Sequence, residues 1–570
     1  MRRTLIAVAL LGAAGCARQA ALHQPAEIPA AWTPGSNRQA AQAPHGMIAS
    51  NSDLASQAGA EILKQGGNAV DAAVATGFAL AVTFPQAGNI GGGGFMVIRM
   101  ADGRNAAIDY REVAPLAATR NMYLDANGKL TDKSRIGPLA VGVPGAVAGM
   151  AAALKKYGTM SLHDVMQPAI RMARDGFVVD SALSRAIGAG ARLIKPYEGA
   201  SVFLPNGRPP TPGTVLKQPQ LARTLQAIAD QGPSVFYTGW IADSLAAEMH
   251  RDHGLITTSD MAKYTPEWRT PIVGSYRGDT IYSMPPSSSG GVIEVEILNI
   301  LETFPTLPPV GSAMYVHDVS EAFRRAFIDR NTELGDPAFV KNPVDRLISK
   351  SYARALRDSI LPDKASKTPA FAEIAAEPTH TTHYSVVDSA GDAVSTTTTL
   401  NSLFGSGAFV GGAGFFLNNE MDDFASDPGH PNQFGLVQGE ANAIAPGKRM
   451  LSAMSPSIVV DPTGKVLLVV GAAGGPTIIT ATTQVILNVV DHHMSLQAAM
   501  SAPRIHMQAW PDRVEYERGG LEPAVLDSLR AMGYDMSPIG HLANANAVMR
   551  VVGGWQGVVE PRSTGGARGY

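Results

Sequence analysis

A single cysteine, Cys16, stands in the 570 residues, so no disulfide can close within the chain and no CxxC metal site can form. Long runs of like charge are also missing. With 46 Lys and Arg against 49 Asp and Glu, the formal charge is −3, which gives nucleic acid no electrostatic footprint. The glycine runs lack nucleotide-binding spacing. Gly91 to Gly94 does not follow GxGxxG and reads as a close-packed turn near a substrate pocket, and Gly471 to Gly475 is not followed by Lys-Ser/Thr, so a P-loop is disfavoured. His383, His492 and His493 show no HExxH or related spacing and read as structural, so no metal is expected. What is present is 45% apolar and 17% charged residues, enough for a sizeable core over a length suited to several domains or one large layered enzyme domain.

Arg2-Arg3, the apolar stretch Leu5 to Leu11 and the small residues Gly12 to Gly15 before Cys16 read as an export signal over 1–16, too short to span a bilayer. Two readings of Cys16 stay open: a lipid-modified first residue of an exported lipoprotein, or an incidental residue of a cleavable signal. Ala13 stands where lipoprotein signals usually carry Leu, Val or Ile. One acyl chain anchors only marginally. Residues 17–45 are rich in Ala, Pro and Gln and read as a flexible tether, with the folded body beginning near Gly46.

Asn68 and Asp71 form a capping-box-like start, followed by Val70, Val74, Phe78 and Ala81 at helical spacing up to Pro85. A second helix is expected from Gly145 to Gly158, and a third from about Leu162 to Asp175, capped by Ser161 and stopped by Gly176. Pro362 to His380 is Pro/Ala-rich with little reason to pack. Thr382–Asp388 and Ala393–Leu400 are β-rich and flank Ser389-Ala390-Gly391, a three-residue hairpin loop. In that register Thr381 faces Thr399, and Asn401 lies on the same face; a four-residue loop would put Leu400 opposite Thr381 instead. Val466 to Val470 reads as a strand, Gly471 to Gly475 as a flexible turn and Pro476 as the first residue of a helix through about Val490. Helix, strand and helix runs in both halves suggest stacked α and β layers.

A threonine hydroxyl is a weak nucleophile without an adjacent base, and its own α-amino group, once freed, is one such base. A cut between His380 and Thr381 would free it. Thr381 would attack the His380 carbonyl, the acyl group would shift from nitrogen to oxygen, and water would resolve the ester. The new amine, with an ordinary pKa of about 7.7 to 8.0, can then take the Thr381 hydroxyl proton.

Thr381 to Asp388 (TTHYSVVD), Thr399-Leu400-Asn401 and Leu417 to Phe424 (LNNEMDDF) resemble the γ-glutamyltransferase (glutathione hydrolase) family in order and spacing. So do Phe84 to Gly94, Asp109-Tyr110-Arg111-Glu112, Gly142 to Gly145, Lys448 to Ser452 and Gly474-Gly475, together covering His45 to Tyr570. The resemblance implies an α+β fold, the four-layer αββα sandwich of N-terminal nucleophile hydrolases. It would be built jointly by a large subunit, 46–380, and a small one, 381–570, paired as a heterodimer. It implies Thr381 as catalytic nucleophile, Thr399 as its orienting partner, and Gly474 and Gly475 as oxyanion-hole donors. Arg111 and Ser452 would take the α-carboxylate of a γ-glutamyl donor, and Asp423, helped by Glu420 and Asn401, its ammonium. Phe434, within the lid-like stretch Pro428 to Gly439, would close the pocket. No cofactor is implied. The expected partners are glutathione or γ-glutamyl amides as donors, with water, amino acids or dipeptides as acceptors, in an exported periplasmic enzyme.

Two departures stand out. The family frequently has Ser-Ser where this chain has Ser452-Ala453, and a tyrosine is common where Phe434 stands. The rival readings are a relative acting on another amide, such as a glutaryl-cephalosporin acylase or a poly-γ-glutamate depolymerase, and a non-catalytic surface binding protein.

Overall fold

The computed structural model describes Trp32, residues 40–368 and residues 381–570. The export signal with Cys16, most of the expected tether, and His380 lie outside the described residues. Two seven-stranded antiparallel sheets face one another. One runs in the order Gly566–Gly569, Met47–Ser50, Thr381–Val387, Ala393–Thr399, Gly93–Arg99, Asn105–Asp109, Glu267–Arg269. The other runs Ala41–Ala43, Gly554–Val559, Asn544–Val551, Val466–Ala473, Ser457–Val460, Asp279–Ser283, Ile272–Tyr276.

Helices cover both outer faces. Ala69–Thr83 begins at a capping box between Asn68 and Asp71, and every one of its residues is buried. A helix apolar on all sides needs such a covered position: it packs beneath the strands Thr381–Val387 and Ala393–Thr399. Gly77 lets the Tyr384 ring approach, since a methyl group there would meet its hydroxyl. The expected helices from Gly145 and Ser161 are found at Ala146–Tyr157 and Leu162–Asp175. On the opposite face, Gly290–Glu302 and Thr477–Val490 cover the second sheet. The result is the αββα sandwich.

Three expectations need correction. The strand after Ser457–Val460 runs through Gly471 to Ala473, because antiparallel pairing with Asn544–Met549 continues past the apolar residues. Ala41–Ala43, inside the expected tether, is an edge strand paired with Trp555–Gly557, and the Trp32 indole donates to the Ser501 carbonyl at 2.8 Å. Residues 362–368, expected to pack poorly, are tied down: Ala365 N–H donates to Met532 O at 2.8 Å and Thr368 N–H to Asp512 Oδ2 at 3.0 Å.

Glu294 is a buried acid with no cation beside it among the described residues. Glu294 accepts from Ser457 Oγ at 2.9 Å on both carboxylate oxygens, and burial raises its pKa to about 8. Unfolded glutamate titrates near pH ~4.3. Between the two values the folded chain holds a proton that the unfolded chain has lost, so stability falls as pH rises through that window. Glu294→Gln removes the slope. Its melting temperature relative to wild type is expected to climb by a few degrees from pH 5 to pH 8, and a constant difference across that range would contradict this account.

Candidate active site

The hairpin holds the expected register. Thr381 pairs with Thr399 and Val387 with Ala393, and the loop turns at Gly391, whose φ is +91°. Odd-numbered side chains of both strands therefore enter the space between the sheets. His383 Nδ1 meets Thr397 Oγ1 at 2.9 Å, its Nε2 meets Ser385 Oγ at 3.0 Å, and Ser395 Oγ donates to Val470 O at 3.1 Å. Burial drives the His383 pKa down to about 3, so this ring is neutral and serves as a strut behind Thr381.

Thr381 opens on a narrow pocket at the end of this seam, lined also by Arg111, Thr399, Asn401, Glu420, Asp423, Phe434, Ser452 and Gly475. Asn401, at φ +76°, donates its N–H to Thr399 Oγ1 at 2.7 Å and its side-chain amide to Asn419 O at 3.0 Å. Gly474 and Gly475 form the corner between strand and helix, with φ of +145° and +57°. Gly475 lines the pocket, and the Gly474 carbonyl accepts from Thr477 Oγ1 at 2.7 Å, which ties the corner to the first turn of the helix. The run Gly91–Gly94 is close-packed as expected, but only Gly91 and Gly92 bend the chain. Gly93 and Gly94 belong to a strand paired with Thr399 and Thr398, packed so closely that a methyl group would strike neighbouring carbonyls.

Arg111 is fully buried and built in from its backbone: its N–H donates to Asp109 Oδ1 at 3.0 Å, and Tyr264 Oη donates to its carbonyl at 2.9 Å. Its Nη2 donates to Asp423 Oδ2, and Nη1 stands 2.7 Å from Glu420 Oε2 without hydrogen-bond alignment. Burial opposes the Arg111 charge, but Glu420 and Asp423 outweigh it and hold the guanidinium above its ordinary pKa. Three acids crowd this cation, and they cannot all ionise. Burial pushes Glu112 up to about 8 and Glu420 well above its usual range. Asp423 is raised by burial too, but it accepts the Arg111 hydrogen bond and is the acid best placed to stay charged.

Ser452 is fixed by its backbone, which donates to Ser287 O at 3.0 Å and accepts from Ser289 N–H at 2.9 Å. The segment around Phe434 folds over the pocket. Gln433 N–H donates to Asp422 Oδ2 at 3.1 Å, Ser402 Oγ to Gln433 Oε1 at 2.9 Å, and Gln508 Nε2 to Gly435 O at 3.1 Å. Sequence reasoning missed Arg330, which also lines the pocket and is fully buried. Its signal was available: Phe323, Ala326, Phe327 and Arg330 recur at helical spacing, placing a charge on an apolar stripe. A wider, mostly apolar groove between Ala148, Met160 and Tyr237 contains none of these residues. Among the described residues no group of three or more His, Cys, Asp or Glu could hold a metal ion, and no helix is long and apolar enough to cross a membrane.

Two facing antiparallel sheets between helical layers, with a threonine at the start of a central strand opening on a pocket between them, define an N-terminal nucleophile hydrolase. The chain belongs to the gamma-glutamyltranspeptidase family, whose sequence pattern matches residues 55–570. It is 47% identical over 530 residues to the glutathione hydrolase proenzyme of Escherichia coli (strain K12), covering 92% of this chain and 91% of that one. A crystal structure of a cephalosporin acylase from Bacillus halodurans superposes with a TM-score of 0.83 at 29% identity, covering 94% of this chain and 97% of that one. The gamma-glutamyltranspeptidase of Helicobacter pylori superposes with a TM-score of 0.54 at 42% identity, over 59% of this chain and 95% of that chain.

Gly471 lies under the His383 ring, and an added methyl would overlap it. Because Thr397 and Ser385 hold that ring, Gly471→Ala should push on the strand carrying Thr381 and cost about 1–3 kcal/mol. A thermal melt checks this, and an unchanged transition would show that the ring yields without cost.

Proposed function

We propose that the chain cuts itself between His380 and Thr381 and then transfers the γ-glutamyl group of glutathione or a related amide through an ester on Thr381. The pocket's charge pattern carries this reading. One buried arginine and one ionised aspartate, side by side next to Thr381, complement the carboxylate and ammonium of an amino-acid head group. Without a donor they neutralise each other. A γ-glutamyl head group would slot between them, its α-carboxylate turning to Arg111 and Ser452 and its ammonium to Asp423, Glu420 and Asn401.

The new α-amine of Thr381 takes the hydroxyl proton as the oxygen attacks the γ-carbonyl, and Thr399 orients that hydroxyl. Negative charge on the carbonyl oxygen meets the backbone N–H groups of the Gly474-Gly475 corner. Collapse expels the amine, which takes the proton from the Thr381 ammonium. Water or an amino acid then attacks the ester and its proton passes to the same amine; collapse breaks the bond between the acyl carbon and Thr381 Oγ, frees the γ-glutamyl product, and returns that proton to the Thr381 oxygen. Phe434 closes the pocket through packing alone, without a phenolic hydrogen bond. The large piece, ending at His380, and the small one, beginning at Thr381, stay together as a heterodimer. The enzyme is exported to the periplasm, with Cys16 as its lipid attachment point.

Resemblance to a cephalosporin acylase favours a second reading, in which a glutaryl amide is the donor. A glutaryl group has no ammonium, and Asp423 would then stand without a purpose. Intact mass measurement should find two fragments for wild type and one uncut chain for Thr381→Ala. Wild type should release product from a γ-glutamyl anilide and far less from a glutaryl anilide, and the reverse preference would establish the acylase reading. Ala453→Ser restores a hydroxyl beside Ser452 and should lower the KM for the γ-glutamyl donor roughly ten-fold.

A further inference from the structure

Burying a guanidinium is costly unless its donors are used. Arg330, on the helix Ala313–Glu333, uses two of its three nitrogens: Nε donates to Ser289 Oγ at 2.9 Å and Nη1 to Asn331 Oδ1 at 2.8 Å. Its Nη2 is buried with no acceptor among the described residues. The same side chain lines the pocket with Thr381, Asp423 and Ser452. Its position within that pocket is set by Ser289, whose hydroxyl passes a hydrogen bond to the Ser452 carbonyl at 2.6 Å. Arg330 is thus coupled to the wall formed by Ser452 and Ala453, where a second hydroxyl is missing.

We infer that Arg330 is a second cationic ligand for the α-carboxylate of the donor, its unpartnered Nη2 supplying the contact that Ala453 does not. The inference rests on the γ-glutamyl reading above. Both terminal nitrogens of Arg111 face acids, so Arg111 must release a partner before it can accept a carboxylate on a fork. Arg330 has a nitrogen that needs no release. A carboxylate presents two oxygens, and two guanidinium groups on different walls can each take one.

The test compares wild type, Arg330→Met and Arg330→Lys on two anilides: γ-glutamyl, and 4-aminobutyryl, which keeps the ammonium but lacks the α-carboxylate. In Arg330→Met the ratio of KM for the γ-glutamyl donor to KM for the 4-aminobutyryl donor should rise roughly ten- to a hundred-fold, the range for one hydrogen bond to a charged group. The γ-glutamyl kcat should change far less than its KM. Arg330→Lys keeps the charge but not the planar fork and should show a smaller rise. An unchanged ratio, or a KM that rises equally for both donors, would overturn the inference and leave Arg330 a structural residue. If Arg330→Met does not fold, Arg330→Lys decides by the same ratio. A wild type that does not favour the γ-glutamyl donor over the 4-aminobutyryl one would instead remove the underlying reading, a failure separate from that of Arg330.

Discussion

The pairing of Thr381 with Thr399 across one three-residue hairpin is the constraint on which the site depends. Side chains alternate along a strand, so a slip of one residue would turn Thr381 toward the helical layer and leave the pocket without its hydroxyl. The register is pinned at both ends. At the turn, Asp388 Oδ1 accepts the N–H groups of Ala390, Gly391 and Asp392, and its Oδ2 accepts that of Ala69 at the start of the buried helix. At the other end, Asn89 donates to both Thr398 Oγ1 and the Thr399 carbonyl. The Asp388 carboxylate thus joins the turn to the helix that supports the strands, and the loop reports its geometry to the pocket through two rigid ladders.

The second constraint is electrostatic. Arg111, Glu112 and Glu420 have no side-chain exposure, and Asp423 little. Such a cluster survives burial only by sharing protons and ion pairs. Its members are therefore set by one another as much as by the backbone. An amino-acid head group carries the same two charges as the Arg111 and Asp423 pair it would displace, so the exchange need not leave a buried charge uncompensated.

Local physics was legible along the chain, and long-range physics was not. The capping box at Asn68, the helix stops at Gly158 and Gly176 and the hairpin over residues 381–399 are each decided within a few residues, and the structure has them where the pattern places them. Gly471 to Ala473 is a strand because Asn544 to Asn546, over 70 residues away, pairs with it, and glycine content alone pointed to a turn. Residues 362–368 and Ala41–Ala43 are likewise held by partners distant in sequence. The gathering of Arg111, Glu420, Asp423 and Ser452 was reachable through motif resemblance. Arg330 was not, because the helix that carries it has no such motif, and its one mark in the sequence is a charge on the apolar stripe of Phe323, Ala326 and Phe327.

Each central sheet takes strands from both sides of residue 381: Met47–Ser50 lies beside Thr381–Val387, and Asp279–Ser283 beside Ser457–Val460. A break in the backbone before Thr381 therefore severs one covalent bond without opening any ladder. Two polypeptides made this way would be interlaced like the fingers of clasped hands, each completing sheets the other cannot build alone. Separating them would demand the unfolding of both, so a scission that creates a second molecule in the chemical sense would create none in the mechanical one.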